Sequence, residues 1–351
     1  MYLSALSQLH FRNLQRPRLE FPLGISAIVG DNAAGKSNLL AAVSLGMSAS
    51  FELARLSDSI RFEEEEAYVG VVLESRHGKQ QIDVGISKHK KVVRLDKQRV
   101  NAAELAKYCA VVSVSPEDAN LVHGAPSLRR GFVDQLLCKL SYRYALILKE
   151  YQRVLEQRNA LLKQASPDRS LTVWTERLVA LGNEVMETRL RAMAKLNGLA
   201  HEAYREISGS LKPLELHLAS GEDAPDMAKA LEASSQEERV RKLTIAGPHR
   251  DDMLISLGGM QQKAFGSRGE ARTTSLALRV AEHRLLQEKH HEDPVLLIDD
   301  FSAELDAQRR GFLLEFARHT QQVLLSGTEH PPHYDHLVVI REGYWTPDSL
   351  A

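Results

Sequence analysis

The 351-residue sequence predicts an α/β fold in which a helical segment interrupts an α/β head. An apolar run, a glycine-rich loop and a helix-forming stretch follow one another over residues 25–48. From Pro126 to about Gly209 nearly every residue favours helix, and apolar side chains recur near every 3.6 residues. The last third returns to short apolar runs typical of buried strands. We therefore expect the last third to complete a sheet that the first third begins.

The composition is that of an ordinary globular protein, and the length suggests two or three domains. Lys plus Arg (45) nearly equal Asp plus Glu (46), so the net charge does not indicate a nucleic-acid partner and any basic surface must be local. The two cysteines, Cys109 and Cys138, have no metal-ligand residues near them in sequence and are expected to be reduced thiols. The first residues lack a signal-peptide pattern and no apolar run could span a bilayer, so we expect a soluble cytoplasmic protein that makes no membrane contact.

Strands and one helix are predicted in the first hundred residues. The alternation in "LSALSQLHFRNL" (3–14) predicts a half-buried strand, and "RLEFPLGISAIVG" (18–30) adds a second strand that leads into a loop. The segment "DNAAGKSNLLAAVSLGMSA" (31–49) turns into a helix. Between residues 67 and 99, three short β-like runs separated by turn residues predict an antiparallel subdomain.

A helical subdomain is predicted after a buried strand, "CAVVSVSPEDANLV" (109–122), that runs into a loop. Residues 129–164 have the pattern of one long amphipathic helix or two helices in line. Residues 170–208 form another helix, with Ser170 as its expected N-cap. Two long antiparallel helices favour an arm that projects from the head, and an ordinary helical subdomain is the alternative.

The sequence after the long helices predicts one short helix and then four strands. The short helix is expected before residue 245 and is opened by a capping box formed by Ser235 and Glu238. Four strands follow, in the segments "GPHRDDMLISL", "DPVLLIDDFSAELD", "QQVLLSGTEH" and "HLVVIREGYW". The expected division is an N-terminal part of the head, a helical arm and a C-terminal part of the head, over residues 1–115, 116–245 and 246–351.

A phosphate-binding loop is indicated by "GDNAAGKS" (30–37), which fits G-x-x-x-x-G-K-[ST] between an apolar strand and a helix. Glycines let backbone N–H groups curl around phosphates, Lys36 reaches the β- and γ-phosphates, and the Ser37 hydroxyl ligates Mg²⁺. ATP and Mg²⁺ are the expected cofactors. The candidate nucleotide-binding residues of this segment are Gly30, Asn32, Gly35, Lys36, Ser37 and Asn38.

A second acid that a P-loop ATPase needs is supplied by "PVLLIDD" (294–300), an apolar strand that ends in two aspartates. Asp299 is expected to hold Mg²⁺ through water, and Asp300 is expected to polarise the attacking water. The alternative is a buried strand that simply ends in solvated acids. Lys36 and Asp300 are the two residues to which we assign catalytic roles.

A second helix start suited to an anion lies at Ser267, Arg268 and Gly269, about thirty residues before the acidic strand. The order of P-loop, helical insertion, Ser-Gly helix start and acidic strand resembles that of ABC-type ATPases. Their signature helix binds the γ-phosphate of an ATP held by another subunit. The form "GSRGEA" departs from the transporter signature and is similar to the SMC-type, DNA-repair branch. A plain helix cap is the alternative interpretation.

Five stretches together resemble the RecF family of bacterial recombination mediator ATPases, and they occur in order along nearly the whole chain. They are "HFRN" (10–13), "SPEDANLVHGAPSLRR" (115–130), "YQRVLEQRNALLK" (151–163), "AGPHRDD" (246–252) and "DDFSAELD" (299–306). The "GPHRDD" element is the most specific of these. The fold that this resemblance implies is a P-loop ABC-type ATPase head with an antiparallel β-subdomain and a helical arm inserted between the Walker A and signature halves.

The resemblance also implies an activity and partners. It implies ATP-dependent head-to-head dimerisation with two ATPs at the interface, followed by slow hydrolysis. It implies that the ATP-bound dimer binds double-stranded DNA and junctions of single- and double-stranded DNA. It further implies cooperation with RecR and RecO in loading RecA at single-strand gaps.

Several residues receive roles only through this resemblance. Arg12 and Asn13 match positions that contact the nucleotide, and Asp306 matches the D-loop that crosses the dimer interface. The switch residue that senses the γ-phosphate falls at Thr328 or His330. In place of the Q-loop glutamine the chain has "SPEDAN", where Glu117 or Asp118 could act. Asp300 stands where transporters have the longer glutamate, which fits a slow switch better than a fast motor.

Two basic segments are candidate DNA contacts. "KHKKVVRLDKQR" (88–99) has six Lys or Arg residues and one acid and could form an exposed hairpin, although a solvated edge strand is equally consistent with it. Arg129 and Arg130 at the start of the arm are the second candidate. Aromatic side chains are not interleaved with these basic residues, which favours contact with the duplex backbone over base stacking. Rival functions are an ATP-gated DNA-binding module with negligible hydrolysis and the nucleotide-binding subunit of a transporter.

Overall fold

A computed structural model describes residues 1–48, 56–164, 168–219, 226–301 and 306–347 of the chain. Fifteen β-strands lie in these ranges: β1 (Tyr2–Leu9), β2 (Arg18–Glu20), β3 (Gly24–Val29), β4 (Glu66–Ser75), β5 (Gly78–Ser87), β6 (Lys91–Leu95), β7 (Gln98–Val100), β8 (Val111–Val114), β9 (Leu214–Ala219), β10 (Asp252–Leu257), β11 (Met260–Gln261), β12 (Val295–Ile298), β13 (Gln322–Gly327), β14 (His336–Arg341) and β15 (Tyr344–Pro347).

Nine α-helices lie in the same described ranges: α1 (Lys36–Ser48), α2 (Asn120–His123), α3 (Pro126–Leu140), α4 (Tyr142–Lys163), α5 (Asp168–Ser208), α6 (Met227–Arg241), α7 (Gln262–Phe265), α8 (Arg268–His290) and α9 (Ala307–Arg318). None of these helices combines the length and apolar character needed to cross a membrane. Both cysteines are free thiols, and burial raises the pKa of each to about 12.

The chain forms two compact units. The first unit contains residues 1–118, 206–209 and 275–351, and the second contains 119–205 and 210–274. This division differs from the predicted boundary at 245, because β10 pairs with β9 and packs against α3. The predicted signature residues, 267–269, therefore group with the helical segment and not with the C-terminal part of the head.

A mixed sheet at the centre of the first unit has the strand order β15-β14-β3-β13-β12-β8. The five strands from β14 to β8 are parallel, and only β15 runs antiparallel to its neighbour. All four residues of β12 are buried, as expected for a strand covered on both faces. The carboxyl ends of the parallel strands lie at one edge of the sheet, which is where open α/β sheets bind ligands.

The second sheet of this unit is antiparallel, in the order β2-β1-β4-β5-β6-β7. Buried and exposed residues alternate along β5, which is typical of a sheet with one solvated face. The third predicted β-like run folds back on itself as the β6–β7 hairpin, since Asp96 and Lys97 both have positive φ, as a two-residue type I′ turn requires. The predicted antiparallel subdomain is thus present, and its sheet has six strands where three were expected, because the third run forms two strands and β1 and β2 also join the sheet.

Helices dominate the second unit, and α4 and α5 are antiparallel neighbours. Ion pairs join Arg143 to Glu184 and Arg177 to Glu150 across them. The segment 129–164 is two helices, because Ser141 adopts an extended backbone and caps α4 by accepting from the Tyr144 N–H.

Two predicted caps were wrong. Ser170 lies inside α5, which already begins at Asp168, so it does not cap the helix. Ser235 lies in the middle of α6, which begins at Met227 and is capped by Asp226 instead. The partner expected for Ser235, Glu238, is buried against Arg158 at 2.6 Å. The Ser-x-x-Glu spacing therefore does not mark a helix start in this chain, because the Glu238 side chain forms a buried ion pair with Arg158 instead.

Candidate nucleotide-binding site

The loop between β3 and α1 has the geometry of a phosphate cradle. Ala33 and Gly35 adopt positive φ (64° and 114°), which curls the backbone ahead of the helix. Lys36 is buried, and its Nζ donates to the carbonyl oxygens of Gly30 and Asp31 at 2.8 Å each. A positive charge is thus held within the loop, next to the free N–H groups at the start of α1.

The turn between β14 and β15 fixes this loop from one side. The Gly343 N–H donates to the Ala34 carbonyl at 2.8 Å, and a Cβ at Gly343 would lie 1.9 Å from the Asn13 carbonyl oxygen. A Cβ at Gly30 would lie 2.2 Å from the Ile340 carbonyl oxygen. Gly343 was not predicted as a site residue, although "REGY" is a turn signal, because nothing in the local sequence shows which loop the turn contacts.

A cluster of hydroxyl and carboxylate groups lies beside the cradle. Ser37 Oγ lies 3.0 Å from Asp299 Oδ1, and Ser326 Oγ donates to the same oxygen at 2.5 Å. The Asp300 N–H donates to Ser326 Oγ at 3.0 Å. These residues meet because β3, β13 and β12 are adjacent parallel strands whose carboxyl ends coincide. Ser326 was missed, since its segment was interpreted only as a strand.

Hydroxyl and carboxylate oxygens are ligands that Mg²⁺ prefers, and Mg²⁺ usually takes one or two protein ligands together with phosphates and waters. Ser37 and Asp299 fit that requirement. In the described part of the chain no three His, Cys, Asp or Glu side chains group as a metal site. Asp300 follows directly, with a left-handed backbone (φ 49°), a conformation that Asp adopts more readily than most non-glycine residues.

Arg12 and Asn13 reach the P-loop through Asn38. Arg12 Nη1 donates to Asn38 Oδ1 at 2.7 Å, and Asn38 Nδ2 donates to Asn13 Oδ1 at 2.8 Å. Asn13 Nδ2 in turn donates to the Ala33 carbonyl at 3.3 Å. Burial lowers the pKa of Arg12. The three predicted nucleotide contacts are therefore brought together in one hydrogen-bonded chain against the loop.

Both candidates for the switch residue, Thr328 and His330, are exposed just beyond β13, and the His330 ring contacts that of Tyr334. Asp306 caps α9 by accepting from the Arg309 N–H at 2.9 Å. Residues 302–305, which complete the predicted D-loop, lie outside the described residues.

The two candidates for the Q-loop position, Glu117 and Asp118, differ in burial. Asp118 is buried and pairs with Arg279 at 2.5 Å, and it also accepts from the Ser115 N–H. Glu117 is exposed. Because the Asp118 carboxylate is occupied inside the unit, this geometry favours Glu117 as the residue that could act there.

The predicted signature residues belong to the second unit. Ser267 Oγ accepts from the Glu270 N–H at 3.1 Å, and the Ser267 N–H donates to Glu270 Oε2 at 3.0 Å, which is a capping box. The bond from the Ser267 N–H also lowers the pKa of Glu270. Ser267 and Arg268 are exposed, and Gly269 is half-buried. The plain-cap interpretation describes this geometry correctly, and the role in phosphate binding stays a prediction.

Arg129 is not a surface contact, so the prediction that it touches DNA was wrong. It is 2% exposed, and its Nε and Nη2 bind the two carboxylate oxygens of Asp252 at 2.7 and 2.8 Å. A guanidinium buried with a bidentate partner has no capacity for a further phosphate.

The basic hairpin, by contrast, is exposed. Arg94 on β6 lies directly opposite Arg99 on β7, and both side chains are exposed. Neither of them has a hydrogen bond or an ion pair in the described part of the chain. Like charges placed directly opposite each other destabilise a sheet, so this pair is an unfavourable arrangement unless an anion lies over it.

The fold and the P-loop site define an ABC-type ATPase head. The family model "RecF/RecN/SMC N terminal domain" matches residues 2–331. The chain belongs to the RecF family. It is 42% identical over 348 residues to the DNA replication and repair protein RecF of Deinococcus deserti, covering 99% of this chain and 96% of that protein. It is 41% identical over 345 residues to that of Deinococcus radiodurans, covering 98% and 95%.

Solved structures support the same assignment. The structure of the recombination mediator protein RecF-ATP in the RecFOR pathway matches with a TM-score of 0.91 at 28% identity, covering 99% of this chain and 97% of that one. The Smc head bound to the C-terminal winged-helix domain of ScpA matches with a TM-score of 0.58 at 16% identity, over 100% and 98% of the two chains, which shows the fold alone. The predicted family and fold class are thus confirmed.

Proposed function

We propose that this chain is an ATP-dependent DNA-binding protein of recombinational repair, in which ATP binding joins two copies and slow hydrolysis separates them. The observation that carries the proposal is the meeting of Lys36, Ser37 and Asp299 at the carboxyl edge of the parallel sheet. Two further facts support it: close relatives are named DNA replication and repair protein RecF, and a RecF of similar structure was solved with ATP.

The P-loop residues bind and orient the nucleotide. Lys36 exchanges its two carbonyl contacts for phosphate oxygens, and the backbone of Gly30, Asn32 and Gly35 wraps the phosphate chain. Ser37 and Asp299 would hold Mg²⁺, which neutralises charge on the phosphates when bound. Ser326 keeps the Asp299 carboxylate in place.

Asp300 is the residue that we assign to the attacking water. Its carboxylate would accept a proton from that water. Its position is set by the strand end and by the N–H bond to Ser326. The hydrolysis that we propose is slow and stimulated by DNA.

The second copy completes the site. Ser267, Arg268 and Gly269 of a second copy would approach the γ-phosphate bound by the first, and Asp306 would lie at the interface between them. Exposure of Ser267 and Arg268 supports this assignment, since a phosphate from another molecule can reach them.

The DNA partner that we propose is the backbone of a duplex or of a junction between single- and double-stranded DNA. The exposed hairpin with Arg94 and Arg99 supports this. RecO, RecR and RecA are the proposed protein partners, in line with the RecFOR pathway named for the similar structure.

An ATP-gated DNA-binding protein with negligible hydrolysis is the second candidate, favoured by the short Asp300 side chain where a longer glutamate serves in transporters. A steady-state ATPase assay with and without duplex DNA separates the two. Membership of the RecF family argues against a transporter subunit.

The dimer is tested by light scattering of the protein with no nucleotide, with ADP and with a non-hydrolysable ATP analogue. The expected result is a doubling of mass with the analogue alone. A monomer under all three conditions at micromolar protein would contradict the proposal. The same amount of dimer under all three conditions would show that dimerisation does not depend on ATP.

A further inference from the structure

The segment Ala246–Asp252, which contains the "GPHRDD" element, is held rigidly in the second unit. The His249 ring is bonded on both sides: Nδ1 to the Tyr151 hydroxyl at 2.6 Å and Nε2 to the Thr244 carbonyl at 3.0 Å. Gly247 has φ +124°, and a Cβ there would lie 2.6 Å from the Met227 side chain. The backbone of this segment thus has little freedom to move.

Both carboxylates of the segment are used inside the unit. Asp251 pairs with Arg189 at 3.0 Å, and Arg189 also pairs with Asp134 at 2.9 Å. Asp252 forms the bidentate pair with Arg129. Burial raises the pKa of Asp251, and attraction by Arg189 and, more weakly, by Arg130 opposes that rise.

Two arginines at this place form no direct ion pair with a carboxylate of the described residues, although Asp251 attracts Arg130 from a greater distance. Arg250 is exposed, and its side chain has neither a hydrogen bond nor an ion pair within the ranges that the structure describes. Arg130 is half-buried, and its Nη1 donates only to the Asp251 carbonyl, at 2.7 Å. Burial, with smaller contributions from Arg250, Arg130 and Arg158, lowers the pKa of His249 to about 4, so the ring adds no charge and both Arg250 and Arg130 lie near enough to act on it.

We propose that Arg250 and Arg130 form a phosphate-binding pair for the DNA backbone on the second unit. The pair deepens the proposed function and rests on it. A guanidinium presents a planar fork that binds phosphate oxygens in pairs. The contacts of His249 and Gly247 fix where the Arg250 backbone lies, and the exposed side chain is ordered only on binding. Contacts to backbone phosphates position a protein on DNA without reading sequence, which suits cations with no base-reading partner beside them.

The experiment measures duplex affinity against salt concentration for the wild type, Arg250→Ala and Arg250→Lys. Loss of one phosphate contact should lower the slope of log K against log[salt] by about 0.9. Loss of a hydrogen bond to a charged group should also weaken binding about tenfold at fixed salt. Arg250→Lys keeps the charge and should retain the slope while losing part of the affinity.

The matched control is Arg191→Ala, which removes one positive charge from the same unit at an exposed i,i+4 pair with Glu187. It should leave the slope unchanged, and both alanine variants should keep wild-type affinity for a fluorescent ATP analogue. Equal slopes for Arg250→Ala and Arg191→Ala would overturn the inference. If the slopes are equal and Arg250→Ala loses binding to an oligoglutamate peptide, the pair serves an acidic protein surface instead. If the wild type binds no duplex at all, the proposed function itself fails.

Discussion

Ser326 Oγ donates to Asp299 Oδ1 at 2.5 Å and at the same time accepts from the Asp300 N–H, so one hydroxyl sets both acids at the end of β12. The two residues belong to neighbouring parallel strands. This contact joins Asp299, the proposed Mg²⁺ ligand, to β13, the strand that leads to Thr328 and His330.

Ser326→Ala should therefore weaken the Mg²⁺ dependence of ATP binding. Residues that orient a metal ligand typically contribute about 10–100-fold to metal affinity. We expect the Mg²⁺ concentration for half-maximal ATP binding to rise by about tenfold, measured with a fluorescent ATP analogue. Binding without Mg²⁺ should stay the same, because Lys36 is untouched. An unchanged Mg²⁺ requirement would show that Asp299 needs no support from Ser326.

Lys36 and Ser267 should differ in what they contribute to the ATP dimer. Lys36→Met removes the ammonium of the P-loop and should abolish both ATP binding and dimerisation. Ser267→Arg places a bulky cation at the start of α8 and should abolish dimerisation while ATP affinity stays near that of the wild type. Nucleotide titration and light scattering measure the two properties. Normal dimerisation of Ser267→Arg would show that Ser267 does not contact the ATP held by a second copy.

Arg94 and Arg99 should carry more of the DNA contact than the lysines that precede them. The double change to Ala should reduce the slope of log K against log[salt] by about 1.8 if each contacts one phosphate. It should also leave the fold intact or slightly more stable, since two like charges no longer face each other. Changing Lys88, Lys90 and Lys91 to Ala is the comparison within the same hairpin. A larger slope change for the lysines would reverse this assignment.

The β13–β12–β3 arrangement could be predicted only in part from sequence. The P-loop and the acidic strand were found because each is a local pattern with its own context. Ser326 and Gly343 were missed because their roles depend on contacts with residues far away in the chain. Hydrophobic periodicity identified the parallel strands, and it carries no information about which neighbour each strand takes.

Two of the errors had one physical origin, which is burial. Arg129 was interpreted as a surface cation, and the structure places it against Asp252. Glu238 was interpreted as part of a helix cap, and it is the buried partner of Arg158. A sequence shows that a charged residue is present, but the partner that neutralises it is fixed only by tertiary packing.

The buried imidazole of His283 should make stability depend on pH. Burial lowers its pKa from 6.5 to about 4, and its Nε2 has no hydrogen-bond partner. Between pH 6.5 and 4 the unfolded chain takes a proton that the folded chain does not, so the free energy of unfolding falls as the pH falls through this window, by up to about 3 kcal/mol. His283→Gln should reduce the slope of urea-unfolding stability against pH over that window, to which the buried His249 and His290 also contribute, whereas the exposed-site control His333→Gln should not. Equal pH profiles for both variants would contradict the assignment of this pH dependence to His283.

Asp299 and Asp300 should have separable roles although they are consecutive. Asp300→Asn keeps the size of the side chain but cannot accept a proton from water. ATP affinity should stay nearly intact, because Lys36, Ser37 and Asp299 remain, while turnover should fall by about 10²–10⁴-fold, the usual contribution of general-base assistance. The ATP-bound dimer should then persist on DNA, with dissociation slowed in step with hydrolysis.

Asp299→Asn should instead weaken Mg²⁺–ATP binding and dimerisation together. Dwell time on DNA and ATP affinity, measured for both variants, decide between these outcomes. If Asp300→Asn releases DNA at the wild-type rate, hydrolysis does not set how long the ATP-bound dimer stays on DNA. Nucleotide exchange or a partner protein would then open the dimer.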